Sequence, residues 1–551
     1  MRFSTIISYL SLAGCLVAAR RSRRHVGLED PIEDVLKKRQ PFPKYSRRSS
    51  DPCPSPDNYL HAQTEKYAVN GCEIPEVDFN VGESYAGLLP ISTVKKEPNQ
   101  LFFWFFPSEN PLAGDEILIW LNGGPGCSSF EGILQENGPF LWQYGTLAPV
   151  PNPFTWVNLT NVVWVEQPVG TGFSQGTPSA ANEEDVAAQF MGFWANFVNL
   201  FGLQGRKVYI AGESYAGYYV PYIADAFLNA KNTTHFNLES TMIYDPSTSN
   251  NAIQEQIPAV AFVDYWKGLH PFNDTYWDYL HNASDACGYT DFMNTYLQFP
   301  PPGPLPTQMP GTDASGRTLS GCNLHSSIER EIMLINPCWD IYQVATTCPL
   351  LYDVLGFPGS FDYLPAGGEI YFNRSDVKRH INAPHDSNWQ ECTNVRVFPH
   401  GDGSPPSGQS VLPGVIERSK RTVIAHGALD MILISNGTLL MIQNMTWNGF
   451  QGFQSKPVEP FYVPYHRNPS LSSLAGSGVF GTTHTERGLT WVSVDLSGHM
   501  IPQYAPTAAY RMLEYLLGRI DSLTSTVPFT TDNVAQPNVP LGFGTGPPVK
   551  K

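Results

Sequence analysis

The chain has 551 residues, of which 42% are hydrophobic, 13% are aromatic and 15% are charged. This composition is typical of a globular protein and argues against an intrinsically disordered chain. The formal net charge of −16 at pH 7 argues against a nucleic-acid partner, because binding nucleic acid requires a basic surface that neutralises phosphates.

The N-terminal segment has the pattern of a targeting sequence. Arg2 precedes an apolar run over 6–17, which predicts a secretory signal peptide over residues 1–19. Dibasic clusters follow, and they predict a propeptide over residues 20–39 that a kexin-like protease removes; a solvated basic arm is the alternative. We therefore expect a secreted protein, with a vacuolar destination as the alternative.

Cysteines and glycosylation motifs agree with export. Eight cysteines remain after the signal peptide, and an even number in an exported chain predicts up to four disulfides with undetermined pairing: Cys53, Cys72, Cys127, Cys287, Cys322, Cys338, Cys348 and Cys392. No C-x-x-C spacing occurs, so we expect no metal site, and nothing indicates a cofactor. Seven N-x-S/T motifs predict N-glycosylation, at Asn158, Asn232, Asn273, Asn282, Asn373, Asn436 and Asn444.

The first part of the chain alternates predicted strands and helices. Short apolar, β-branched runs at 116–120, 161–168 and 207–212 predict buried strands. Residues 182–201 combine acidic residues in the first turn with an apolar stripe at helical spacing, which predicts a helix. This alternation predicts a mostly parallel central sheet flanked by helices, with residues 51–250 as the first part of the core.

The middle of the chain, residues 251–405, differs in composition. It is rich in proline, aromatic residues and cysteine, with a helix expected over 275–284 and a loop over 299–316. We predict that this region is an inserted cap held together by disulfides.

The second part of the core is predicted over residues 406–520. Strands are expected at 421–427 and 489–498, and a helix at 505–520. Residues 521–551 are rich in Ser and Thr and then in Pro and Gly, and we expect them to be disordered. The chain shows no late apolar run long enough to span a bilayer, and no membrane anchor is expected.

The segment IAGESYAGYYVP, residues 210–221, follows a predicted strand and leads into a predicted helix. A serine on a sharp turn between a strand and a helix is the nucleophile elbow of α/β-hydrolases, which here carries Ser214. Close packing of the turn requires small neighbours, and Gly212, Ala216 and Gly217 meet this requirement. The strict pattern has Gly where Ala216 stands, and an ordinary Gly-containing strand end is the alternative reading.

A serine nucleophile needs a base and an orienting carboxylate. In this fold they follow the serine in the order Asp or Glu, then His. Asp430 follows a predicted strand, and His499 lies in a Gly-flanked loop before the last predicted helix. Both positions belong to the carboxyl edge of a parallel sheet, where active sites form. Three other histidines compete for the role of the base: His400, His426 and His484.

The segment WLNGGPGCSS, residues 120–129, is a Gly-rich turn after a predicted strand. Its backbone N–H groups, together with that of Tyr215, form a candidate oxyanion hole for a tetrahedral intermediate. A Gly-rich turn without a catalytic role is the alternative.

These segments, with GHMIPQ at 498–503 and the block at 152–174, resemble the serine carboxypeptidase family of secreted and vacuolar exopeptidases. The resemblance covers roughly residues 51–520. It implies an α/β-hydrolase fold with Ser214 as nucleophile, His499 as general base and then acid, and Asp430 as orienting carboxylate.

The resemblance also implies the groups around the triad. The oxyanion donors would be the amides of Gly124 and Tyr215, and a disulfide at Cys127 would hold the Gly-rich turn to the cap. Three residues would bind the carboxylate of the substrate: Asn122, Glu136 and Glu213. Three more would shape the substrate pocket: Trp120, Gly123 and Met500.

The predicted glutamate pair indicates how a free C-terminus is bound. Two glutamates in contact do not readily both ionise, so Glu136 and Glu213 share a proton and one of them donates to the substrate carboxylate, which works best in acid. We therefore expect a serine-type carboxypeptidase that releases C-terminal amino acids from peptides and proteins through an acyl-enzyme. The alternatives are an acyltransferase or esterase on the same scaffold and, less favoured, a binding protein with an inactive site.

Overall fold

The computed structural model describes residues 58–94, 96–356, 369–466 and 474–533, all within the compact unit Cys53–Lys551. The predicted signal peptide, the predicted propeptide and Cys53 lie outside the described residues, so those predictions stay untested.

Fifteen strands are present among the described residues. In chain order they are β1 (Ala68–Val69), β2 (Ser84–Pro90), β3 (Gln100–Phe106), β4 (Glu116–Leu121), β5 (Phe140–Leu141), β6 (Val150–Pro151), β7 (Val162–Glu166), β8 (Lys207–Glu213), β9 (Leu238–Tyr244), β10 (Arg421–Gly427), β11 (Thr446–Trp447), β12 (Phe450–Gln451), β13 (Glu459–Val463), β14 (Gly478–Glu486) and β15 (Leu489–Val494).

Eleven of these strands form one sheet in the order β1-β2-β3-β7-β4-β8-β9-β10-β15-β14-β13. The strands from β7 to β15 in this order run parallel to one another. Antiparallel strands extend the sheet at both edges. Every residue of β4 and β7 is buried, as expected for parallel strands covered on both faces.

Besides shorter 3-10 and π-helical turns, eleven α-helices are present among the described residues. They are α1 (Glu183–Phe201), α2 (Ala216–Ala230), α3 (Ala259–Tyr265), α4 (Asp274–Ala286), α5 (Tyr289–Tyr296), α6 (Leu324–Ile335), α7 (Ser375–His380), α8 (Leu412–Arg418), α9 (Ser435–Asn444), α10 (Ile501–Tyr504) and α11 (Pro506–Leu516). Helix α1 begins after Asn182, whose side chain accepts a hydrogen bond from Asp185 N, and ends at Gly202 in the left-handed conformation. These caps satisfy backbone groups that the helix leaves unpaired.

The fold is the α/β-hydrolase fold that the sequence predicts, and the predicted strands and helices of the core are present with shifts of a few residues at their ends. Strand β9 was not predicted, because Glu239, Ser240 and Thr241 interrupt the apolar pattern on which strand prediction depends. Two of these side chains have polar partners: Glu239 pairs with Lys420 at 3.0 Å, and Thr241 Oγ1 donates to Thr422 Oγ1 at 3.2 Å.

The region predicted as a cap contains α3 to α7 and two internal disulfides, Cys287–Cys322 and Cys338–Cys348. A third disulfide, Cys127–Cys392, joins this region to the Gly-rich turn after β4, as the family resemblance implied, and Cys72 is also disulfide-bonded. The division into a core and a separate cap stays a prediction. One apolar cluster combines cap residues such as Trp277 and Ile328 with Met431 from the second part of the core.

Residues 521–533, which follow α11, were predicted to be disordered, but they pack on the core. Leu523 and Phe529 are buried, and the ring of Phe529 lies 5.6 Å from that of Tyr510 on α11. Two apolar side chains anchor this stretch despite its Ser- and Thr-rich composition, because their burial on the core offsets the loss of chain entropy. Residues 534–551 lie outside the described range.

Two further predictions concern the surface. Asn158, Asn232, Asn273 and Asn282 are exposed, whereas the other three glycosylation candidates are half-buried; glycosylation itself stays a prediction. Within the described part of the chain, no helix has the length and apolar character needed to cross a membrane.

Candidate active site

The predicted nucleophile elbow is a strained turn between β8 and α2. Ser214 adopts the left-handed conformation with φ of 61°, and its N–H donates to Tyr244 O on the neighbouring strand at 3.0 Å. A Cβ at Gly212 would lie 2.4 Å from Leu121 O, and one at Gly217 would lie 2.3 Å from Ser247 O. Steric exclusion therefore explains the small residues around the serine.

The Gly-rich turn after β4 packs against this elbow. A Cβ at Gly123 would lie 2.7 Å from Ser214 Cβ and 2.5 Å from Tyr215 N. Gly124 has φ of 113°, a conformation that side chains rarely adopt. The turn therefore lies beside the backbone N–H of Tyr215, which is the placement that an oxyanion hole requires.

The predicted base and its carboxylate are paired. His499 Nδ1 donates to Asp430 Oδ2 at 2.8 Å, and Asp430 Oδ1 accepts from Ile432 N at 2.9 Å. Both side chains are buried. Burial lowers the pKa of His499, but the charge and hydrogen bond of Asp430, together with the other nearby carboxyls, outweigh burial and raise this pKa above its ordinary value. Nε2 of His499 has no hydrogen-bond partner among the described residues.

Ser214 and His499 line one cavity of about 350 Å³. Gly123 and Met500, two of the three predicted pocket residues, also line it, as does the oxyanion candidate Gly124. Trp120 is instead fully buried, and it contacts the site through Nε1, which donates to Asn122 Oδ1 at 2.7 Å.

The three predicted carboxylate-binding residues form one cluster beside the elbow. Asn122 Nδ2 donates to Glu136 Oε1 at 3.0 Å and to Glu213 Oε1 at 2.9 Å. The Trp120 indole determines the orientation of the Asn122 amide, because Oδ1 must accept from that donor and Nδ2 then faces the two carboxyls.

Burial and mutual repulsion change the protonation of this pair. Burial raises the pKa of Glu136 to about 7. Burial and the adjacent charge of Glu136 raise the pKa of Glu213 well above its ordinary range. The second oxygen of each carboxyl has no donor among the described residues. A proton shared between the two carboxyls accounts for this arrangement.

The three other histidines that were candidates for the base lie outside the cavity. His426 is buried, its Nε2 lies 2.8 Å from Thr438 Oγ1, and burial lowers its pKa to about 3. His484 Nε2 lies 3.0 Å from Glu486 Oε2, and His400 is exposed. None of the three lines the cavity that holds Ser214.

Three cavity-lining side chains were not predicted from the sequence: Glu131, Tyr342 and Glu391. Glu131 follows the Gly-rich turn and caps the short helical segment Gly132–Glu136, and its position five residues before Glu136 was the available signal. Tyr342 and Glu391 come from the middle region, where the sequence shows no pattern that relates them to Ser214. Asp245, directly after β9, was missed because the strand was missed.

An elbow serine, a His–Asp pair and a Gly-rich turn thus lie at the carboxyl ends of the parallel strands of one sheet. This combination of fold and site defines a serine hydrolase of the α/β-hydrolase class.

Comparison with known proteins identifies the family. Residues 75–519 match the family model described as serine carboxypeptidase, and the chain belongs to this family. It is 57% identical over 517 residues to a probable serine carboxypeptidase of Arthroderma benhamiae, covering 92% of this chain and 95% of that protein. It is 45% identical to serine-type carboxypeptidase F of Aspergillus niger, covering 84% and 89% of the two chains.

A solved structure agrees on the fold. The chain is similar to Kex1(delta)p, a prohormone-processing carboxypeptidase from Saccharomyces cerevisiae, with a TM-score of 0.64 and 23% identity over 83% of this chain and 96% of that one.

Proposed function

We propose that this protein is a serine-type carboxypeptidase that removes C-terminal residues from peptides and proteins and works best in acid. The observation that carries the proposal is the Asn122 amide, whose Nδ2 holds the carboxyls of Glu136 and Glu213 together. Glu213 directly precedes Ser214, so a group bound by this cluster lies one residue from the candidate nucleophile.

In the proposed reaction, Ser214 Oγ attacks the carbonyl carbon of the last peptide bond while His499 Nε2 takes the serine proton. The C–O bond that forms places negative charge on the carbonyl oxygen, and the N–H groups of Gly124 and Tyr215 donate to it. His499 then gives its proton to the leaving nitrogen as the C–N bond breaks. Water then attacks the acyl carbon while His499 Nε2 takes a water proton, and His499 gives this proton to Ser214 Oγ as the ester C–O bond breaks and the shortened peptide leaves.

The proposed role of Glu136, Glu213 and Asn122 follows from the charge state of the two glutamates. Two ionised glutamates would repel a substrate carboxylate, whereas the protonated pair donates a hydrogen bond to it, and Asn122 Nδ2 donates to it in exchange for one of its glutamate acceptors. Because the pKa of Glu136 is raised to about 7 and that of Glu213 is raised well above its ordinary range, the pair is protonated in acid and begins to lose protons as the pH rises past 7. Binding of the free C-terminus should therefore weaken above that range.

The decisive experiment offers the enzyme matched peptides that differ only in a free or amidated C-terminus. A carboxypeptidase prefers the free form strongly, whereas an esterase or acyltransferase shows little difference. Ser214→Ala should abolish hydrolysis, with Ser247→Ala as a neighbouring serine control. A serine-directed phosphonylating reagent should label Ser214. Equal cleavage of both peptides would contradict the proposal.

The predicted signal peptide and the disulfides also indicate the compartment of the enzyme. The predicted signal peptide and the disulfides Cys127–Cys392, Cys287–Cys322 and Cys338–Cys348 suit an oxidising compartment. We propose secretion, and expect peptides and proteins with a free C-terminus as partners. Detection of the mature chain in the culture medium of the native host tests the destination.

A further inference from the structure

We propose that Asp245 is a positioning residue of the active site: a protonated carboxyl that donates a hydrogen bond to Asp430, so that His499 faces one negative charge instead of two. This inference rests on the proposed function, in which Asp430 orients the base.

Asp245 is held behind the His–Asp pair by its backbone. It directly follows β9, its φ is 43° and its side chain is fully buried. Its N–H donates to Ala425 O at 2.7 Å, and its Oδ1 accepts from Gly427 N at 2.8 Å. A left-handed non-glycine residue in a buried position is backbone strain, which often marks a functional site. The turn directs the carboxyl across the end of β10.

The second oxygen of Asp245 behaves as a donor. Oδ2 is buried and accepts no hydrogen bond from any described residue. A carboxylate oxygen buried without a donor is strongly unfavourable, whereas a carboxyl O–H in this place donates to an acceptor. Ligand atoms of Asp245, Asp430 and His499 all lie within 4.8 Å of one another. Burial and the charge of Asp430 raise the pKa of Asp245 well above its ordinary range.

The charges that face Asp245 also require a proton there. Three titratable groups face it among the described residues, namely His426, Asp430 and His499. His426 Nδ1 lies 2.9 Å from Asp245 Oδ1 but is not aligned to donate a hydrogen bond, and burial lowers the pKa of His426 to about 3, so the ring is neutral. The carboxyls of Asp245 and Asp430 therefore face at most one positive charge, which is that of a protonated His499.

The proton belongs on Asp245 and not on Asp430. Asp430 already accepts hydrogen bonds at both oxygens, from His499 Nδ1 and from Ile432 N, and donors stabilise an ionised carboxylate. His499 Nδ1 carries the hydrogen that it donates, so this nitrogen does not serve as a ligand for a cation in the same cluster.

The protonation state of Asp245 affects catalysis through the pKa of the base, His499. An ionised Asp245 is one of the charges that raise the pKa of His499, and with it a larger fraction of the imidazole would be protonated in acid and unable to accept the serine proton. A neutral Asp245 avoids this while still holding Asp430 in place. His499 then remains a base in the same acidic range in which Glu136 and Glu213 retain their shared proton.

The test compares Asp245→Asn and Asp245→Ala with the wild type, using kcat against pH for a peptide with a free C-terminus. Asn is neutral, nearly isosteric and can donate to Asp430, so we expect kcat within about threefold of wild type and an unchanged acid limb. Ala lacks the donor, and we expect kcat to fall about 10- to 100-fold. A downward shift of the acid limb by a pH unit in Asp245→Asn would show that Asp245 is charged, and so overturn the proposal.

Infrared difference spectra of wild type minus Asp245→Asn give a second readout that does not depend on activity or on the Ala variant. We expect the carbonyl band of a protonated carboxyl at acidic and neutral pH. Absence of this band, wild-type activity of Asp245→Ala, or failure of Asp245→Asn to fold would each contradict the inference. A wild type that prefers amidated peptides would instead contradict the proposed function, while leaving the infrared result intact.

Discussion

Gly123 and Tyr215 are in backbone contact: a Cβ atom at Gly123 would lie 2.5 Å from the backbone nitrogen of Tyr215. The contact joins the turn after β4 to the elbow after β8, which are separated by more than ninety positions in sequence but adjacent in the sheet. The two candidate oxyanion donors are therefore held by packing between two turns and not by either turn alone.

We predict that Gly123→Ala separates these two turns and lowers kcat about 100- to 1,000-fold, which is the usual effect of losing one oxyanion donor. Gly114→Ala is the matched control, because the nearest atom to its Cβ, Pro111 O, would be 3.9 Å away. Steady-state kinetics with thermal melting separates a catalytic defect from unfolding. Normal kcat in a folded Gly123→Ala would show that the turn has no catalytic role.

A second prediction concerns the glutamate pair. Glu213→Gln replaces the carboxyl by a permanent donor, so we expect the rise of KM with increasing pH to become smaller than in wild type. The sign follows from the raised pKa of the pair, which holds its proton in acid and loses it near pH 7 in the case of Glu136. KM for a free-C-terminus peptide is measured from pH 4 to 8. Glu109→Gln, at an exposed position, is the control, and an unchanged alkaline rise in Glu213→Gln would assign the pair another role.

A third prediction concerns the disulfide Cys127–Cys392, which spans 265 positions and ties the oxyanion turn to the middle region. The double Ser variant should lose about 2–4 kcal/mol of unfolding free energy and also kcat, because the turn beside Ser214 loses its tether. The control is the double Ser variant at Cys338–Cys348, which spans only 10 positions. It should be destabilised less, because the entropy of closing a loop grows with loop length. Urea unfolding and kinetics measure both effects, and equal losses in the two variants would count against this account.

A fourth prediction concerns Glu183, whose carboxyl is fully buried at the start of α1. Neither of its oxygens has a donor among the described residues, and burial together with the charge of Asp402 raises its pKa well above the ordinary value. The folded state therefore holds a proton that the unfolded state releases, and stability falls as the pH rises from the unfolded pKa toward the folded one.

Glu183→Gln should remove the loss of folding stability that occurs as the pH rises. At pH 4, where Glu183 of the wild type is protonated, we expect the same melting temperature for variant and wild type. At pH 8 the wild-type fold must either bury a charged Glu183 or take up a proton, so we expect the variant to be more stable by about 1–3 kcal/mol. Glu184→Gln, the exposed neighbour in the same helical turn, should show neither effect. A variant that melts in parallel with wild type at both pH values would show that Glu183 does not titrate as described.

Much of the fold is readable from local patterns. The apolar runs that became β4, β7, β8, β10 and β15 are largely buried, as is usual for parallel strands with near-continuous hydrophobic sequence. Strand β9 has polar residues at its start and was missed, and with it Asp245. The anchoring of residues 521–533 was also missed, because only Leu523 and Phe529 oppose a polar composition.

By itself, the sequence determined the elbow and its neighbours, since small residues around Ser214 are demanded by contacts within a few residues of the turn. Chain order and strand ends also placed Asp430 and His499 at one sheet edge. The family resemblance implied that Asn122, Glu136 and Glu213 meet, but only the tertiary structure decided the hydrogen bonds between them and the position of Asp245 behind Asp430. Protonation depends on distance and burial between residues remote in sequence, and no local pattern encodes either quantity.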